Sequence, residues 1–262
     1  MRTANNDPEP SGLFVQSFAR GLAVIKAFGE DARRLTLTDV AHRSGMTRAT
    51  ARRLLHTLRE LGYVTMDGKY FSLTPRILDL GYSYLSSMEL WGFAQHYMED
   101  LVERVHESCS VSVLDGHDVV YVSRVPTRRI LTSSLNVGSR IPAHAISMGR
   151  VQLAALPEEA LEHYLGTVQL TRFTPYTVTD AETLRQRIRE DGAKGWSLVS
   201  RELEEGIAGI AVPLINRAGR TIAAMNLSMQ PTRVEQPELL ESLLTELRAT
   251  AEQINSILRM RE

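Results

Sequence analysis

The apolar residues between positions 35 and 61 follow a helical period. Thr38 can cap a short first helix, and Gly45 supplies the turn to a second helix that Thr47 can cap. Apolar residues along the second helix recur every three or four positions, which predicts one buried face. These residues are Ala51, Leu54, Leu55, Leu58 and Leu61.

A strand period replaces the helical one after Gly62, and the segment that follows predicts a small hairpin. Asp67-Gly68 is the dipeptide expected in a tight hairpin turn, and Lys69 lies near its tip. Two helices, a tight turn and a hairpin in succession are typical of a winged helix-turn-helix.

The outer face of the second helix carries positive charge and short side chains. Guanidinium groups match guanine edges and phosphate oxygens, and small residues allow a helix to approach the floor of a DNA groove. We therefore predict that this face and the hairpin tip bind DNA. The predicted DNA-binding residues are Thr47, Arg48, Ala49, Thr50, Arg52, Arg53, His56 and Lys69. The alternative is the solvated charged face of an ordinary amphipathic helix.

Further helices are predicted on both sides of this segment. One runs from Ser17 to about Phe28, with Leu22, Ile25 and Phe28 on its apolar side, and would pack beneath the other two helices. Thr74-Pro75 then marks a strong helix start, because a capping residue precedes a proline at the first helical position. The helix that follows would link two domains, and it has four apolar residues to bury: Ile77, Leu78, Leu80 and Tyr84.

The pattern after residue 90 mixes helices and strands. Helices are predicted from Leu90 to Glu107, from a cap at Ser147, from a cap at Asp180 or Thr179, and from Glu238 to Arg259. Strands are predicted in a hairpin around Asp115-Gly116 and in the runs RILTSSL, WSLVSRE, GIAGIAVPLI and TIAAMNLSM. Groups of strands separated by helices predict an α+β domain with a mainly antiparallel sheet.

Charge is distributed unevenly along the chain. Residues 14 to 85 hold eleven Lys/Arg against six Asp/Glu, although the whole chain has a net charge of −1. Because residues 14 to 85 are basic and the rest of the chain is acidic, polyanion binding is expected in residues 14 to 85. No run approaches the roughly 18 apolar residues of a membrane span, and the polar start MRTANNDPEPSG lacks the apolar core of a secretory leader. We expect a cytoplasmic protein with a disordered tip over residues 1–13.

Several runs of the chain resemble the IclR family of bacterial transcription regulators. FVQSFARGLAVIKAF, LTLTDVAHRSGMTRATARRLLHTLRELGYV and YFSLTPRILDLGYSYLSS resemble its amino-terminal domain, and SRIPAHAISMGRVQLA and RELEEGIAGIAVPL are similar to its effector domain. More narrowly, the chain resembles the subgroup that controls breakdown of protocatechuate, 4-hydroxybenzoate and β-ketoadipate.

The resemblance implies a division of the chain into three parts beyond its tip. They are a winged helix-turn-helix over residues 14–73, a linker helix over 74–90, and a GAF-like α+β effector-binding domain with an antiparallel sheet over 91–262. The resemblance also implies that the first helix contributes to dimer contacts.

A site for a small acid is predicted in the second half of the chain. Backbone N–H groups at the predicted helix start of residues 147 to 149 would favour a carboxylate. Strand alternation puts Ala224, Asn226 and Ser228 on one face of TIAAMNLSM, and Gly209 permits a close approach of backbone or ligand.

The resemblance implies that these positions line the effector site of the family, and Arg140 and Arg201 are candidates for pairing with the acid. The predicted effector-binding residues are Arg140, Ser147, Met148, Gly149, Arg201, Gly209, Asn226 and Ser228. The alternatives are an ordinary helix cap, the polar face of a half-solvated sheet, and surface roles for the two arginines.

Sequence signals for catalysis and metal binding are weak. The chain has no G-x-S-x-G, no phosphate-binding glycine loop, no H-E-x-x-H and no pair of cysteines. His106 and Cys109 lie three positions apart and could share a helix face, but two ligands are too few for a structural zinc site. We expect no cofactor and no metal.

Two functions remain open. In the first, the protein is a transcription regulator that senses a small carboxylic acid and alters its binding to a double-stranded DNA operator. It would act as a homodimer or tetramer, since one reading helix is too small for a specific site. In the second, residues 91 to 262 form a hydrolase or transferase that is tethered to DNA by the first domain. The absence of nucleophile motifs argues against this second function.

Overall fold

The computed structural model describes residues 12–29, 31–87, 90–127 and 135–261. The chain divides into two compact units, Met1–Ser87 and Met88–Glu262. Two predictions fall largely outside the described residues: the disordered tip, of which only residues 12 and 13 are described, and the strand RILTSSL, of which only Leu135 is described.

Three helices form the body of the first unit: α1 (Gln16–Lys26), α2 (Leu37–Arg43) and α3 (Arg48–Glu60), with the short strand β1 (Leu35–Thr36) before α2. Their buried side chains share one core that includes Val24, Val40, Ala51, Leu55 and Leu58. The buried residues of α3 are the ones its helical period predicts, except that Leu54 is half-buried and Leu61 is 52% exposed.

A small antiparallel sheet completes this unit. Strands β2 (Val64–Asp67) and β3 (Tyr70–Leu73) form the predicted hairpin, and β1 pairs with the outer side of β3. Gly68 has a φ of 56°, a conformation that favours glycine in the turn. Helices, turn and hairpin together make a winged helix-turn-helix.

Two details of the first unit differ from the sequence prediction. Thr36 rather than Thr38 caps α2: its Oγ1 accepts from the Asp39 N–H at 3.3 Å, and Asp39 Oδ2 accepts from the Thr36 N–H at 2.9 Å. This reciprocal cap requires an acid three residues after the capping residue, a condition that Thr36 meets. In α1, Val24 is the buried residue, whereas Leu22 is 40% exposed.

The segment after the wing begins as a tight 3-10 turn, Pro75–Ile77, and continues as α4 (Leu78–Ser87). Thr74 does not cap it with its side chain, since its hydroxyl donates to the Gly62 carbonyl at 2.6 Å. Leu78 is 69% and Leu80 50% exposed in the single chain, so the first unit by itself does not bury these two of the four apolar residues.

The second unit is built on a six-stranded antiparallel sheet with the order β6-β5-β4-β9-β8-β7. The strands are β4 (Ser108–Asp115), β5 (Asp118–Val125), β6 (Arg140–Pro142), β7 (Ser197–Ser200), β8 (Ala208–Ile215) and β9 (Thr221–Met229). Strands distant in sequence therefore meet at its centre, where β4 pairs with β9. The α+β class with an antiparallel sheet is confirmed.

Helices cover both faces of this sheet. On one face α6 (Ser147–Ala154) places Met148 and Val151 in a core with Tyr121, Ala211 and Ala224. Behind α6 lie α7 (Glu158–Thr167), which the sequence did not predict, and α8 (Ala181–Lys194), which Asp180 caps. The other face is covered by α5 (Leu90–Val105) and α10 (Pro237–Arg261), which follows the short α9 (Pro231–Val234).

Candidate functional site

The outer face of α3 exposes the residues predicted to bind DNA. Thr47 caps the helix by accepting from the Thr50 N–H at 3.2 Å, so these two side chains fix the helix start. The exposed residues that follow are Arg48, Ala49, Arg52, Arg53 and His56, with Thr50 half-buried. His56 Nδ1 lies 3.3 Å from Glu60 Oε1 one turn along the helix. The three arginines form no ion pair with a described residue.

Near the tip of the wing, the predicted Lys69 is joined by a second basic residue, Arg34, which sequence reasoning missed. Arg34 donates to Asp67 Oδ2 at 2.7 Å, and its guanidinium lies 5.0 Å from the Tyr70 ring centre. The Lys69 ammonium lies 5.5 Å from the same ring. The consecutive Arg33 and Arg34 just before β1 were the available signal. Basic side chains thus lie on both α3 and the wing.

The start of α6 is buried and has no side-chain cap. Ile146 occupies the capping position, so the predicted cap at Ser147 is wrong by one residue, and Ser147 is the first residue of the helix. The first N–H groups of a helix have no acceptor within it. Ser147 is 2% exposed and Met148 1%, so water has little access to these groups. A buried helix end of this kind is suited to an anion.

Two glycines allow the chain to pack closely around this helix start. A Cβ on Gly149 would overlap the backbone of Ala143, so only glycine fits where α6 crosses the preceding turn. A Cβ on Gly209 of β8 would lie 2.9 Å from Ser147 Oγ and 3.6 Å from Asn226 Nδ2. Ser147 and Asn226 therefore converge on the same point above β8.

The sheet beneath α6 carries buried polar residues beside the apolar ones. Asn226 is only 6% exposed, so a half-solvated polar face does not explain it. Ser110 and Ser112 on β4, which sequence reasoning missed, pair in register with Asn226 and Ala224. Ser112 donates to Met148 Sδ at 3.3 Å and accepts from Gln152 Nε2 at 3.3 Å. Alternate serines along the run SCSVS were the signal for this polar strand.

Ser228 continues the same face of β9, where it pairs with Ser108 on one side and with Gly209 on the other. It is half-buried, unlike Asn226. Gly209, Asn226 and Ser228 are thus neighbours, as their placement in the predicted site requires.

The two arginines predicted to pair with an acid are not brought together. Arg140 lies on β6 and Arg201 follows β7, at opposite edges of the sheet. Five strand spacings separate these edges, a distance on the order of 20 Å, which no small acid can bridge. Both guanidinium groups also have carboxylate partners.

Arg140 donates to Asp115 at 2.6 Å and to Asp118 at 3.2 Å. These hydrogen bonds raise the pKa of its guanidinium, and the bond to Asp115 has the larger effect. Arg201 donates to Glu235 at 2.6 Å and lies 5.7 Å from the ring centre of Tyr176. Their contacts fit the alternative that the sequence left open, a role at the surface of the unit.

A different arginine lies beside the start of α6. Arg150 is 2% exposed, and its Nη2 donates to Glu202 Oε2 at 2.6 Å. Its Nε donates to the carbonyl of His144 at 3.1 Å. Sequence reasoning missed this pair because Glu202 lies 52 residues away and beyond two further helices.

The other candidate chemistry in this unit is modest. Burial raises the pKa of the Cys109 thiol, which disfavours the thiolate that binds metal or attacks a substrate. Within the described ranges, no three His, Cys, Asp or Glu side chains are grouped closely enough to hold a metal ion. No helix in those ranges is long and apolar enough to cross a membrane.

Comparison with known proteins identifies both units. The family described as "Bacterial transcriptional regulator IclR C-terminal" matches residues 82–256, and the "IclR helix-turn-helix domain" matches residues 17–68. The Pca regulon regulatory protein of Pseudomonas putida is 42% identical over 96% of this chain and 85% of its own length. The p-hydroxybenzoate hydroxylase transcriptional activator of Acinetobacter baylyi is 39% identical over 93% of this chain and 92% of its own.

Among solved structures, an IclR homologue from Microbacterium hydrocarbonoxydans complexed with 4-hydroxybenzoate is similar with a TM-score of 0.83 and 27% identity. The match covers 93% of this chain and 99% of that one. These relatives are regulators rather than enzymes, and the chain has both domains of such a regulator, a DNA-binding helix-turn-helix and an effector domain. The chain belongs to the IclR family of bacterial transcriptional regulators.

Proposed function

We propose that this protein regulates genes of aromatic-acid catabolism by binding a small carboxylic acid in its second unit and altering its binding to an operator. The acid would be a pathway intermediate such as protocatechuate, 4-hydroxybenzoate or β-ketoadipate. One observation carries the proposal: the start of α6 is buried and uncapped, and it faces the buried polar residues of β8 and β9. The names of the relatives and the 4-hydroxybenzoate in the similar complex support the choice of acid.

The effector carboxylate would accept hydrogen bonds from the N–H groups of Ser147, Met148 and Gly149. Hydrogen bonds from such donors to an ionised acceptor are about twice as strong as neutral ones. The strand residues Gly209, Asn226 and Ser228 would contact the rest of the molecule. Arg140 and Arg201 are not assigned to the carboxylate, since these arginines pair with acids at the two edges of the sheet.

DNA reading would fall to α3 and the wing. We assign base or phosphate contacts to Arg48, Arg52 and Arg53, because their side chains are exposed on the face opposite the α3 core. Ala49 would allow close approach, Thr47 and Thr50 would fix the helix start, and His56 would lie at the edge of the contact. Lys69 would place a positive charge against the DNA backbone.

The protein would bind DNA in the cytoplasm as a homodimer or a dimer pair. Phe18 and Leu22 lie on one side of α1 and are 69% and 40% exposed, and Phe14 just before the helix is 52% exposed. Together they form an apolar surface that a second copy would cover. Leu78 and Leu80 on α4 would add to this contact. The operator should then be a near-palindrome with half-sites about one helical turn or a multiple apart.

A thermal-shift screen with protocatechuate, 4-hydroxybenzoate, β-ketoadipate and muconate tests the effector, because a ligand that binds only the folded state must raise its stability. The methyl ester of the acid that binds should bind much more weakly in calorimetry. Equal binding of acid and ester would contradict a carboxylate at α6.

Regulation requires a second measurement, since an acid changes operator affinity only if it binds two arrangements of the protein unequally. We expect the acid that raises stability to change operator affinity in a binding titration with a fluorescent operator. We assign this coupling to the helix that follows Pro75. An acid that binds tightly and leaves operator affinity unchanged would remove the coupling but not the binding site.

A further inference from the structure

Asn226 differs from the other buried asparagines of the second unit. Asn216 Oδ1 accepts from the Arg220 N–H at 3.0 Å, and Asn255 Oδ1 accepts from the Ile215 N–H at 2.8 Å. These two side chains are 3% and 5% exposed, and Asn226 is 6% exposed. Asn226 Oδ1, however, has no donor among the described residues. Burying a carbonyl oxygen without a donor destabilises a fold, so an unpaired one at equal burial needs an explanation.

The position of Asn226 explains why its Oδ1 has no protein donor. It lies on β9 between β4 and β8, on the sheet face that α6 covers. Its amide lies within 4 Å of the point where a Gly209 Cβ would be, and Ser147 Oγ at the start of α6 lies within 3 Å of that same point. The amide therefore faces the helix start to which we assign the effector carboxylate.

We propose that Asn226 Oδ1 accepts a hydrogen bond from a hydroxyl group of the effector and makes the site selective for hydroxylated acids. This inference rests on the proposed function and extends it. Carboxylate recognition at α6 uses protein donors, whereas Asn226 Oδ1 is an acceptor and needs a donor, which a hydroxyl group on the ligand can supply. A phenolic hydroxyl supplies that proton. A keto oxygen carries none, so it leaves Oδ1 unpaired.

This selectivity follows from the free-energy cost of leaving the buried Asn226 Oδ1 without a hydrogen bond. A site built to bind a hydroxyl group rejects the same molecule without it, because the buried partner then loses its hydrogen bond. The hydroxylated acid should therefore bind at least about tenfold more tightly than its counterpart without the hydroxyl group. This preference should depend on residue 226 and not on the carboxylate.

Calorimetry on the full chain with 4-hydroxybenzoate, protocatechuate and benzoate tests the inference. For the wild type we expect the hydroxylated acids to bind at least about tenfold more tightly than benzoate. Asn226→Leu should bind benzoate and the hydroxylated acids with nearly equal affinity. Asn226→Asp should keep the preference, since its carboxylate oxygens accept the same hydrogen bond, while its negative charge near the effector carboxylate should weaken the binding of all three acids.

Asn255→Leu is the matched control, because it removes a buried amide whose oxygen already has a partner, and it should leave the ratio of affinities unchanged. A wild-type protein that binds benzoate as tightly as the hydroxylated acids would overturn the role of Asn226 while leaving the acid site intact. The same holds if Asn226→Leu keeps the preference. A wild-type protein that binds none of these three acids would also overturn the role of Asn226, and the proposed function falls with it only if β-ketoadipate and muconate fail to bind as well.

Discussion

Arg150 and Glu202 form an ion pair inside the second unit, with Nη2 of the arginine 2.6 Å from Oε2 of the glutamate. The same carboxylate oxygen accepts from the Val178 N–H at 3.1 Å, and the Glu202 carbonyl accepts from the Thr177 hydroxyl at 2.6 Å. Because Arg150 lies in the first turn of α6, this pair joins the candidate effector helix to the segment after β7 and to the loop before α8.

Breaking this pair should strongly destabilise the second unit. Arg150→Met would leave the Glu202 carboxylate buried without its partner, and we expect a loss of about 3–5 kcal/mol in the free energy of unfolding. Urea denaturation followed by tryptophan fluorescence measures it, since Trp91 and Trp196 both belong to this unit. Adding Glu202→Leu should restore part of the loss. Arg189→Met, which breaks the exposed pair with Glu158, is the control and should change little.

Replacing arginines of α3 should weaken operator binding. If Arg48→Ala or Arg52→Ala removes a base contact, the change should cost roughly 1–3 kcal/mol and relax specificity at one position, whereas removal of a phosphate contact should mainly reduce the dependence on salt. Binding titrations at several salt concentrations distinguish the loss of a base contact from the loss of a phosphate contact. Arg187→Ala removes an exposed charge from α8 and serves as control. Unchanged affinity in both α3 variants would refute the assignment.

A charge on the apolar side of α1 should disrupt the dimer. Phe18 is 69% exposed in the single chain, and burying a carboxylate against a second copy without a partner is unfavourable. We expect Phe18→Glu to sediment as a smaller species than the wild type and to bind the palindromic operator less tightly. Gln16→Glu is the control, because it adds the same charge on another side of α1, and it should sediment as the wild type does. A wild type that sediments as a monomer under DNA-binding conditions would contradict the proposal.

A methyl group on Gly209 should weaken effector binding. In Gly209→Ala the new Cβ would lie 2.9 Å from Ser147 Oγ, closer than such atoms normally approach, so either the Ser147 side chain must turn away or the start of α6 must move. The new methyl group would also occupy the point on which Ser147 and Asn226 converge. Displacing the N–H donors by even a fraction of an ångström should reduce acid affinity about tenfold or more. Gly166→Ala is the control, because a Cβ there meets nothing within 4 Å. Operator binding without acid should be unchanged in both variants.

Acidification should destabilise the second unit in part through His144. Burial lowers the pKa of this imidazole, although its hydrogen bond to the Thr171 carbonyl acts in the opposite direction. Arg150, Glu202 and Asp118 are the charged groups that act on it. Below about pH 6.5, the unfolded chain therefore gains a proton that the folded chain resists, and stability falls. His144→Gln keeps a donor for Thr171 and should show a smaller loss between pH 7.5 and 5.5 in urea denaturation.

Local patterns in the sequence determined most of the elements and the exposed basic face of α3. The three-and-four spacing of Ala51, Leu55 and Leu58 specifies which side of α3 is buried, and the arginines must then lie on the other side. Thr47, Asp180 and the Asp67-Gly68 turn act through atoms within a few residues, so their roles can be read from adjacent positions.

The geometry of the candidate effector site depended on the tertiary structure instead. In the sheet β4 pairs with β9, although more than a hundred residues separate their paired positions in the sequence. The alternation of residues along a strand does not indicate which other strand will be its neighbour. Strand order separates Arg140 from Arg201 and brings Ser110 to Asn226. The packing of α6 on the sheet brings Arg150 to Glu202. Burial then decides which polar groups must find partners, and it leaves Asn226 Oδ1 without one among the described residues. Sequence could name the residue types of a site for an acid, but only long-range packing determined which of them meet.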